Sequence, residues 1–518
     1  MRSKVKRSTN QEPISRCSAS RERGSYVRAI DARIVCHTRS TASSDDARRV
    51  GSVGIHSHPR VESRDSIPTS TRLILPLNPV EGTNDMPASN FRTWVATICL
   101  TLMAVPLIGR SEDADRGIGD FPKLSADRDW PWWRGPSRNG VAAEQSVPIK
   151  FGDKDNVVWK TAVPGRGHSS PIVVGDKIFL ATSETSPQVQ SVVAFDRKTG
   201  NQLWKTDVSK GGFPAKNHAK NTEATPTVAC DGEKLFASFF HHETVQCTAL
   251  DLSGKKVWQK TVGPFNPKRY EYGYAPSPVL YRGTVIVSAE YDGQSAITAL
   301  DRQSGKQIWR TPRQSSITFS TPSLAHVAGK DQLFISGADQ VTSYDPATGK
   351  QLWTTPGTTA ATCGTMVWDG DTVIASGGYP KAETIAIAAD GSGKVLWKNG
   401  KKCYEQSLLT HNGYVYAFTG EGIIFCWQVS TGNKMWEQRL SGPVSSSPVL
   451  VGGHVYWANE AGTWYVFKPN PERFELVAEN QLGDEAFPSP AAAGNQLFIR
   501  TATRSGGKRQ EWLYCFGK

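Results

Sequence analysis

A short turn followed by tryptophan recurs along the chain and constrains its fold more than any other feature. Its fullest form is Asp, two or three residues, Gly, two more residues, an aliphatic residue and Trp, as in "DRQSGKQIW" and "DPATGKQLW". Asp at the head of a tight turn accepts backbone N–H bonds, and Gly supplies the positive φ that the turn needs. The aliphatic residue and Trp then begin a strand whose large ring must pack on a neighbour. A unit that recurs at this spacing indicates an array of small sheets rather than independent domains.

Eight such positions can be counted. Five copies contain both the Asp and the Gly, one copy ("VSTGNKMW") lacks the Asp, and two flanking copies ("DNVVW" and "NPERF") are degenerate. The eight copies end at Trp159, Trp204, Trp258, Trp309, Trp353, Trp397, Trp436 and Phe474.

A second repeat interleaves with the first and places Ser or Thr beside Pro. It is found as "SSPIVV" at Pro171, "ATPTVA" at Pro226 and "SSPVLV" at Pro448, with degenerate copies near Thr365 and Leu408. Proline cannot donate to a β-ladder, so it belongs at the start of a strand or on an unpaired edge. Small hydroxyl residues suit a crowded axis, which predicts that this segment is the innermost strand of a propeller blade.

Each inner strand is followed by a Gly-containing hairpin turn, a second β-rich strand such as "TVIVSAE", and a third strand that leads into the Asp-Gly turn. Four strands per unit make one blade. The last unit ends at Phe516 without a fourth strand, whereas the strand at 156–163 precedes every inner strand and is spare. We therefore predict an all-β, eight-bladed β-propeller of four-stranded antiparallel blades over 156–518, closed by the N-terminal strand that completes the last blade.

The chain upstream of the propeller has a different character. Residues 1–85 are rich in Arg and Ser, without hydrophobic periodicity, and predict a disordered basic extension or a mis-assigned start. This tail supplies part of the net charge of +12, and it lacks the aromatic neighbours and ordered basic face that nucleic-acid binding needs. Residues 86–111 contain "TWVATICLTLMAVPLIG" and predict a signal peptide beginning near Met86, with an uncleaved membrane anchor as the alternative. Residues 112–155 form a Trp-rich lead-in.

Export would place the propeller in an oxidising compartment, so its cysteines need an explanation. They are scattered, without a Cys-x-x-Cys or Cys-x-x-Cys-His motif, and this excludes the usual zinc-ribbon, thioredoxin-like and c-type haem sites. We expect buried free thiols.

The Ala/Phe-Asp-x-x-Thr-Gly-x-x-x-Trp pattern resembles the PQQ-like repeat of the quinoprotein alcohol dehydrogenase-like propellers, which have eight blades. The resemblance covers about 156–518. It implies a fold more than an activity, because this propeller serves PQQ-dependent dehydrogenases, BamB-type outer-membrane assembly scaffolds and sensor regions of bacterial kinases.

The segment "DWPWWRGPSRNG" at 129–140 resembles the lead-in of secreted PQQ-like proteins of planctomycete-type bacteria. Trp130, Trp132 and Trp133 in it have two interpretations: they stack on a sugar ring, or they pin a terminal segment onto the propeller.

Propellers bind ligands in a funnel built from the loops that enter the inner strands, and two of these loops, "PAKNHAKNTE" and "NPKRYEYGY", are long and polar. Among all the loops that enter the inner strands, the best candidates for ligand contact are His168, His218, Asn221, Glu223, Tyr274, Glu405, Asp484 and Glu485. We predict no catalytic residue and no metal site. A quinoprotein enzyme would need PQQ and Ca²⁺, for which Asn221, Glu223 and Asp484 are the nearest ligands.

We predict an exported, monomeric, non-catalytic propeller, periplasmic or secreted, that binds a protein partner in the cell envelope as a BamB-like scaffold. In this interpretation no cofactor is needed, and any membrane contact is made through residues 86–111. A PQQ-dependent alcohol or sugar dehydrogenase is the first alternative. An extracytoplasmic ligand sensor that works with a signalling partner such as a kinase is the second.

Overall fold

The computed structural model describes Ile118 and residues 121–518, which belong to one compact unit. The predictions for residues 1–85 and 86–111 lie outside this range. The described residues form 32 β-strands and no α-helix, so none of them builds a helix of the length and hydropathy needed to cross a membrane. The strands form eight four-stranded sheets, which confirms the all-β, eight-bladed architecture.

The chain begins the propeller with a single strand, β1 (Val157–Val163), and then builds the blades in order from the axis outward. Blade 1 comprises β2 (Ile172–Val174), β3 (Lys177–Thr185), β4 (Gln188–Asp196) and β5 (Gln202–Lys210). Blade 2 comprises β6 (Ala229–Cys230), β7 (Lys234–His241), β8 (Thr244–Asp251) and β9 (Lys256–Pro264). Blade 3 comprises β10 (Val279–Tyr281), β11 (Thr284–Ala289), β12 (Ala296–Asp301) and β13 (Gln307–Pro312). Blade 4 comprises β14 (Ser323–Val327), β15 (Lys330–Gly337), β16 (Gln340–Tyr344) and β17 (Gln351–Pro356).

The second half of the propeller repeats this order. Blade 5 comprises β18 (Val367–Asp369), β19 (Thr372–Gly377), β20 (Glu383–Ala388) and β21 (Val395–Asn399). Blade 6 comprises β22 (Leu409–His411), β23 (Tyr414–Phe418), β24 (Ile423–Gln428) and β25 (Lys434–Arg439). Blade 7 comprises β26 (Val449–Val451), β27 (His454–Ala458), β28 (Thr463–Lys468) and β29 (Glu475–Gln481). Blade 8 contains β30 (Ala491–Ala493), β31 (Gln496–Ser505) and β32 (Lys508–Phe516).

Blade 8 takes its fourth strand from the beginning of the propeller, as predicted. Its order is β1-β32-β31-β30, and β1 runs antiparallel to β32 with Trp159 opposite Cys515 and Val163 opposite Glu511. The pairing joins the two ends of the propeller and covers the edge of β32 that would otherwise be unpaired.

The recurring Trp and the recurring Gly contact each other across the blade boundary. The ring of Trp159, at the outer edge of blade 8, lies against the turn of blade 1, and a Cβ on Gly200 would come within 2.5 Å of that ring. Gly200 also has φ of +74°, so the position requires glycine for its backbone and for its contact. The Trp159 indole N–H donates to the carbonyl of Arg197 in the same turn, at 2.9 Å. The Trp of one copy of the motif and the turn of the next copy thus form a contact between neighbouring blades, which we call a Trp joint.

The same indole-to-turn hydrogen bond recurs at Trp204, Trp258, Trp309, Trp397 and Trp436. Trp353 differs, because its indole donates to Gln332, whose amide donates in turn to the carbonyl of Ala389 in blade 5. The assignment of Phe474 to the Trp position is wrong. The β28–β29 register places Ala478 there, opposite Val466, because the turn before β29 is longer.

The aliphatic residue before each Trp position is the extra residue of a β-bulge. In all eight outer strands the pairing register shifts at this point. A bulge leaves one residue without a partner and redirects its side chain. Seven of these side chains are exposed to solvent on the outer edge: Val158, Leu203, Val257, Ile308, Leu352, Met435 and Val477.

Candidate functional site

The propeller axis is bordered by a ring of hydroxyl side chains, one from each blade. Each of them lies two residues before the inner strand of its blade. A backbone N–H of one member donates to the hydroxyl of the member in the next blade, at 2.8–3.1 Å, for seven of the eight links. The ring consists of Ser170, Thr227, Ser277, Thr321, Thr365, Ser407, Ser447 and Ser489. In blade 2 the hydroxyl follows Pro226 instead of preceding the proline, so Pro226 is not equivalent to Pro171.

The Trp-rich lead-in lies across one end of this channel. We call residues 127–146 the axial plug, because its members bond to the inner strands, or to the hairpin turns after them, of seven blades. Trp130 forms an antiparallel bridge with Val173 of blade 1, and Val141 a parallel bridge with Leu450 of blade 7. Contacts with blades 2, 3, 5, 6 and 8 are made by Pro131, Arg138, Asn139, Arg134 and Ser146, in that order.

Two buried arginines fasten the plug at the axis. The guanidinium of Arg134 donates to the carbonyls of Pro448 at 2.6 Å and Leu408 at 2.8 Å. Arg138 donates to the carbonyl of Leu280 at 2.9 Å and lies 4.1 Å from the ring centroid of Trp132. Burial lowers the pKa of both arginines to about 9, so both keep their charge at neutral pH. Trp130 and Trp132 are buried, which supports the pinning interpretation for these two residues.

Trp133 is different, because it separates the plug from a cavity on the opposite side of the hydroxyl ring. Its indole N–H donates to the hydroxyl of Thr365 at 2.9 Å. The link between Thr321 and Thr365 is the one that the ring does not make, so the indole takes the place of a backbone donor there. The cavity has a volume of about 320 Å³ and opens between the loops that enter the inner strands.

One side of the cavity is an aromatic wall from blades 3 to 6. Tyr272 and Phe319 are stacked with centroids 6.1 Å apart, and Tyr270 meets Tyr379 edge to face at 5.3 Å. Tyr404 completes the wall. Tyr272 is 39% and Tyr379 47% exposed, so their rings are available to a ligand at the mouth.

The lining also contains four of the residues predicted from the sequence: His168, His218, Asn221 and Glu405. His168 stacks on Phe487 with centroids 4.5 Å apart, and burial, together with nearby arginines, lowers its pKa well below the ordinary value. Its imidazole is therefore neutral. His218 meets Tyr272 edge to face at 4.9 Å. Burial raises the pKa of Glu405, and Lys220 opposes this shift.

Asn221 and Glu223 are held by neighbours. The amide of Asn221 donates to the carbonyl of Tyr272 at 2.5 Å, and its oxygen accepts from the backbone N–H of Thr222 at 2.8 Å. Glu223 accepts a hydrogen bond from Asn217 at 2.9 Å, and burial raises its pKa despite that bond. Glu223 does not line the cavity.

Tyr274, Asp484 and Glu485 also lie away from the cavity wall. The buried Tyr274 donates its hydroxyl to the carbonyl of Ser288 at 2.8 Å. Asp484 accepts from the backbone N–H of Arg504 at 2.6 Å. Glu485 pairs with Arg504 and with Arg509, whose Nε lies 2.7 Å from its carboxylate. Burial works against ionisation of Glu485, but these two arginines lower its pKa.

Most of the aromatic wall and Lys220 were not predicted from the sequence. Tyr270 and Tyr272 lie in the loop "NPKRYEYGY", from which Tyr274 was selected, and Tyr404 precedes Glu405. Tyr379 comes from the loop between β19 and β20, which does not lead into an inner strand. Its pairing with Ala361, which brings it to the mouth, has no signal in the sequence.

Comparison with known proteins agrees with this architecture. The family model described as outer membrane protein assembly factor BamB matches residues 152–296, 188–399 and 381–470, which together span most of the propeller. The chain belongs to this BamB family. The outer membrane protein assembly factor BamB of Burkholderia pseudomallei (strain K96243) is 24% identical over 364 residues, which cover 68% of this chain and 86% of the relative.

Enzymes are also similar to this BamB-family chain. A polyvinylalcohol dehydrogenase from Pseudomonas sp is 24% identical over 223 residues, which are 38% of this chain but only 32% of the enzyme. The solved structure of a europium-containing methanol dehydrogenase matches with a TM-score of 0.58 at 12% identity, covering 76% of this chain and 99% of that chain. At this identity the structural match shows the shared fold alone.

The cavity of this BamB-family member does not match the site that PQQ with Ca²⁺ would need. Hard cations such as Ca²⁺ require several oxygen ligands that converge on one point. Asn221, Glu223 and Asp484 are instead bonded to three different partners, as described above. Within 121–518, no group of three His, Cys, Asp or Glu side chains is placed to hold a metal ion.

The six cysteines of the described propeller are free, and five of them are buried. Cys363 lines the cavity, where burial and the nearby Glu405 raise its pKa. The thiol therefore stays protonated at neutral pH and is a poor nucleophile.

Proposed function

We propose that this protein is an exported, non-catalytic propeller that binds a partner protein in the cell envelope and acts as an assembly scaffold. The observation that carries the proposal is the cavity itself. It combines exposed aromatic rings with the amide of Asn221, which is bonded to its neighbours, and one carboxylate, Glu405, so the acidic and amide groups of the described lining do not converge on one reacting point. Aromatic side chains at a concave mouth are typical anchors of protein recognition.

The family description and the name of the Burkholderia relative favour an assembly role over an enzymatic one. Such a role fits a monomer in the periplasm or outside the cell, reached through the signal peptide predicted at 86–111. The plug supports a rigid platform, because it ties seven blades together at the axis.

The rival function is a PQQ-dependent alcohol or sugar dehydrogenase, which the name of the Pseudomonas relative favours. That enzyme would hold the quinone and Ca²⁺ in the funnel. The acidic and amide residues would first have to leave their present partners, and this rearrangement would weaken binding.

The test combines retention and titration on the full-length protein. Immobilised wild-type protein should retain a defined envelope protein from an extract of the source organism. Tyr272→Ala should lose that protein, whereas Leu203→Ser, a control on the outer edge, should keep it. PQQ with Ca²⁺ should not bind saturably, and alcohols should not reduce an artificial electron acceptor. Saturable PQQ binding that Glu223→Ala abolishes, together with acceptor reduction, would establish the enzyme instead.

A further inference from the structure

Glu405 lines the cavity, and Lys220 is the one side chain among the described residues that pairs with its carboxylate. The nearest cation is Lys220, whose Nζ lies 3.9 Å from Oε1 of Glu405. The same Nζ lies 2.7 Å from Oε1 of Glu460, and that oxygen also accepts from the hydroxyl of Ser445 at 2.6 Å. Lys220 is therefore committed to Glu460. Two carboxylates share one ammonium, so the charge of Glu405 is only partly compensated in a partly desolvated position.

The aromatic wall faces the same cavity as this carboxylate. Tyr404 is adjacent to Glu405 in the chain, and the rings of Tyr270, Tyr272 and Tyr379 continue the wall to the mouth. A cation placed on an aromatic face is attracted by the ring quadrupole, and the attraction grows where water is excluded. The combination of aromatic faces with a carboxylate whose charge is only partly compensated selects a ligand that is both flat and positively charged.

A guanidinium meets both conditions better than an ammonium. It is planar, it stacks on aromatic rings, and its fork of N–H donors matches the two oxygens of a carboxylate. The cavity of about 320 Å³ lies at the small end of the range for ligand pockets, which suits one long side chain rather than a folded element.

We infer that the cavity is a pocket for an arginine side chain of the partner protein, with Glu405 as its counter-ion and the tyrosine wall as its stacking surface. This inference rests on the proposed scaffold function and names the chemistry that the scaffold recognises. The negative charge of Glu405, which Lys220 compensates only in part, would repel a polyanionic ligand.

The experiment is calorimetric titration of the full-length protein with capped tripeptides. Acetyl-Gly-Arg-Gly-amide should bind, and acetyl-Gly-citrulline-Gly-amide, in which a neutral urea of nearly the same shape replaces the guanidinium, should bind at least about tenfold more weakly. Glu405→Gln should weaken the arginine peptide by a similar factor. Glu437→Gln is the matched control, because Glu437 lies on the outer strand β25 paired with Lys434, and it should leave affinity unchanged.

Equal binding of the arginine and citrulline peptides, or full affinity in Glu405→Gln, overturns the inference, and so does the absence of saturable binding. Failure of the scaffold function is distinguishable. If wild-type and Glu405→Gln proteins retain the same envelope protein equally, the scaffold stands and the arginine pocket falls. If the arginine peptide binds in a Glu405-dependent way while no envelope protein is retained, the pocket stands and the scaffold falls.

Discussion

At the scale of single residues, the structure explains why Gly and Trp recur together. The turn glycine is fixed by its positive φ and also by the ring of the preceding blade, which lies where a Cβ would stand. Hairpin glycines such as Gly413 share the positive φ, +80°, but meet nothing within 4 Å. Substitutions at the two kinds of glycine therefore separate the energetic cost of the strained backbone from the cost of displacing the Trp ring.

Gly200→Ala should lower the free energy of unfolding by about 1 kcal/mol more than Gly413→Ala. Both variants suffer the strain of a left-handed backbone, but only the first displaces the ring of Trp159. Chemical denaturation followed by circular dichroism measures the difference. Equal losses in the two variants would mean that the Trp–Gly contact adds nothing to stability.

The pKa of Glu405 sets the pH dependence of the proposed arginine pocket. Burial raises this pKa above the ordinary value of 4.5 for glutamate, and binding requires the charged form. Affinity for the arginine peptide should therefore fall with decreasing pH, beginning above pH 4.5, while the peptide keeps its own charge. The groups that face Glu405 are Lys220, His218, Glu460, Cys363 and Tyr404.

Titration of the arginine peptide at a series of pH values from about 7.5 to about 5 measures this dependence. Glu405→Gln is the control, since any slope that remains in it does not come from the carboxylate of Glu405. An affinity that is constant over this range in the wild-type protein would contradict a raised pKa at Glu405.

At the scale of strands and loops, the sequence predicted the blades well because their signals are local. The turn glycine lies four residues before the Trp, and each ring hydroxyl lies two residues before its inner strand. The errors come where insertions shift the pattern, as at Pro226, where the ring hydroxyl follows the proline, and before β29, where Ala478 replaces Phe474.

The cavity was only half predictable, because the direction of a loop side chain depends on distant partners. Tyr272 and Tyr274 are two residues apart in one loop, yet the first faces the cavity and the second bonds Ser288 in the core. Glu485 follows Asp484 in an entry loop, but arginines on β31 and β32 draw it away. No local pattern reports either outcome.

The outer strand offers a test of the bulge. Trp309→Ala should lower the free energy of unfolding by about 3–5 kcal/mol, because the ring is nearly buried and its indole bonds the carbonyl of Pro346. Ile308→Ser, one residue earlier, should change it by no more than about 0.5 kcal/mol, since Ile308 is 52% exposed. Thermal or denaturant unfolding compares them. A large effect of Ile308→Ser would contradict the outward direction of the bulged residue.

At the scale of the whole molecule, the ring is fastened in three concentric ways. The plug bonds to the inner strands and hairpin turns at the axis, the hydroxyl ring links neighbouring blades just outside it, and the Trp joints link them near the edge. Only the joint made by Trp159 also carries the closure between the two ends of the propeller. Its ring lies 6.2 Å from that of Phe498 in blade 8 and covers Gly200 in blade 1.

Trp159→Ala should therefore loosen both sides of the closure together. Hydrogen exchange by mass spectrometry should show faster exchange in peptides that cover β31 and β32 and in peptides that cover the turn before β5. Trp309→Ala, a joint within the continuous chain, is the control and should accelerate exchange in blades 3 and 4. Because β1 binds blade 8 through its ladder with β32 and blade 1 through this joint, loss of the joint weakens the cover that β1 gives to the C-terminal strands of blade 8. Faster exchange confined to 156–163 would show instead that β1 does not contribute to closing the ring.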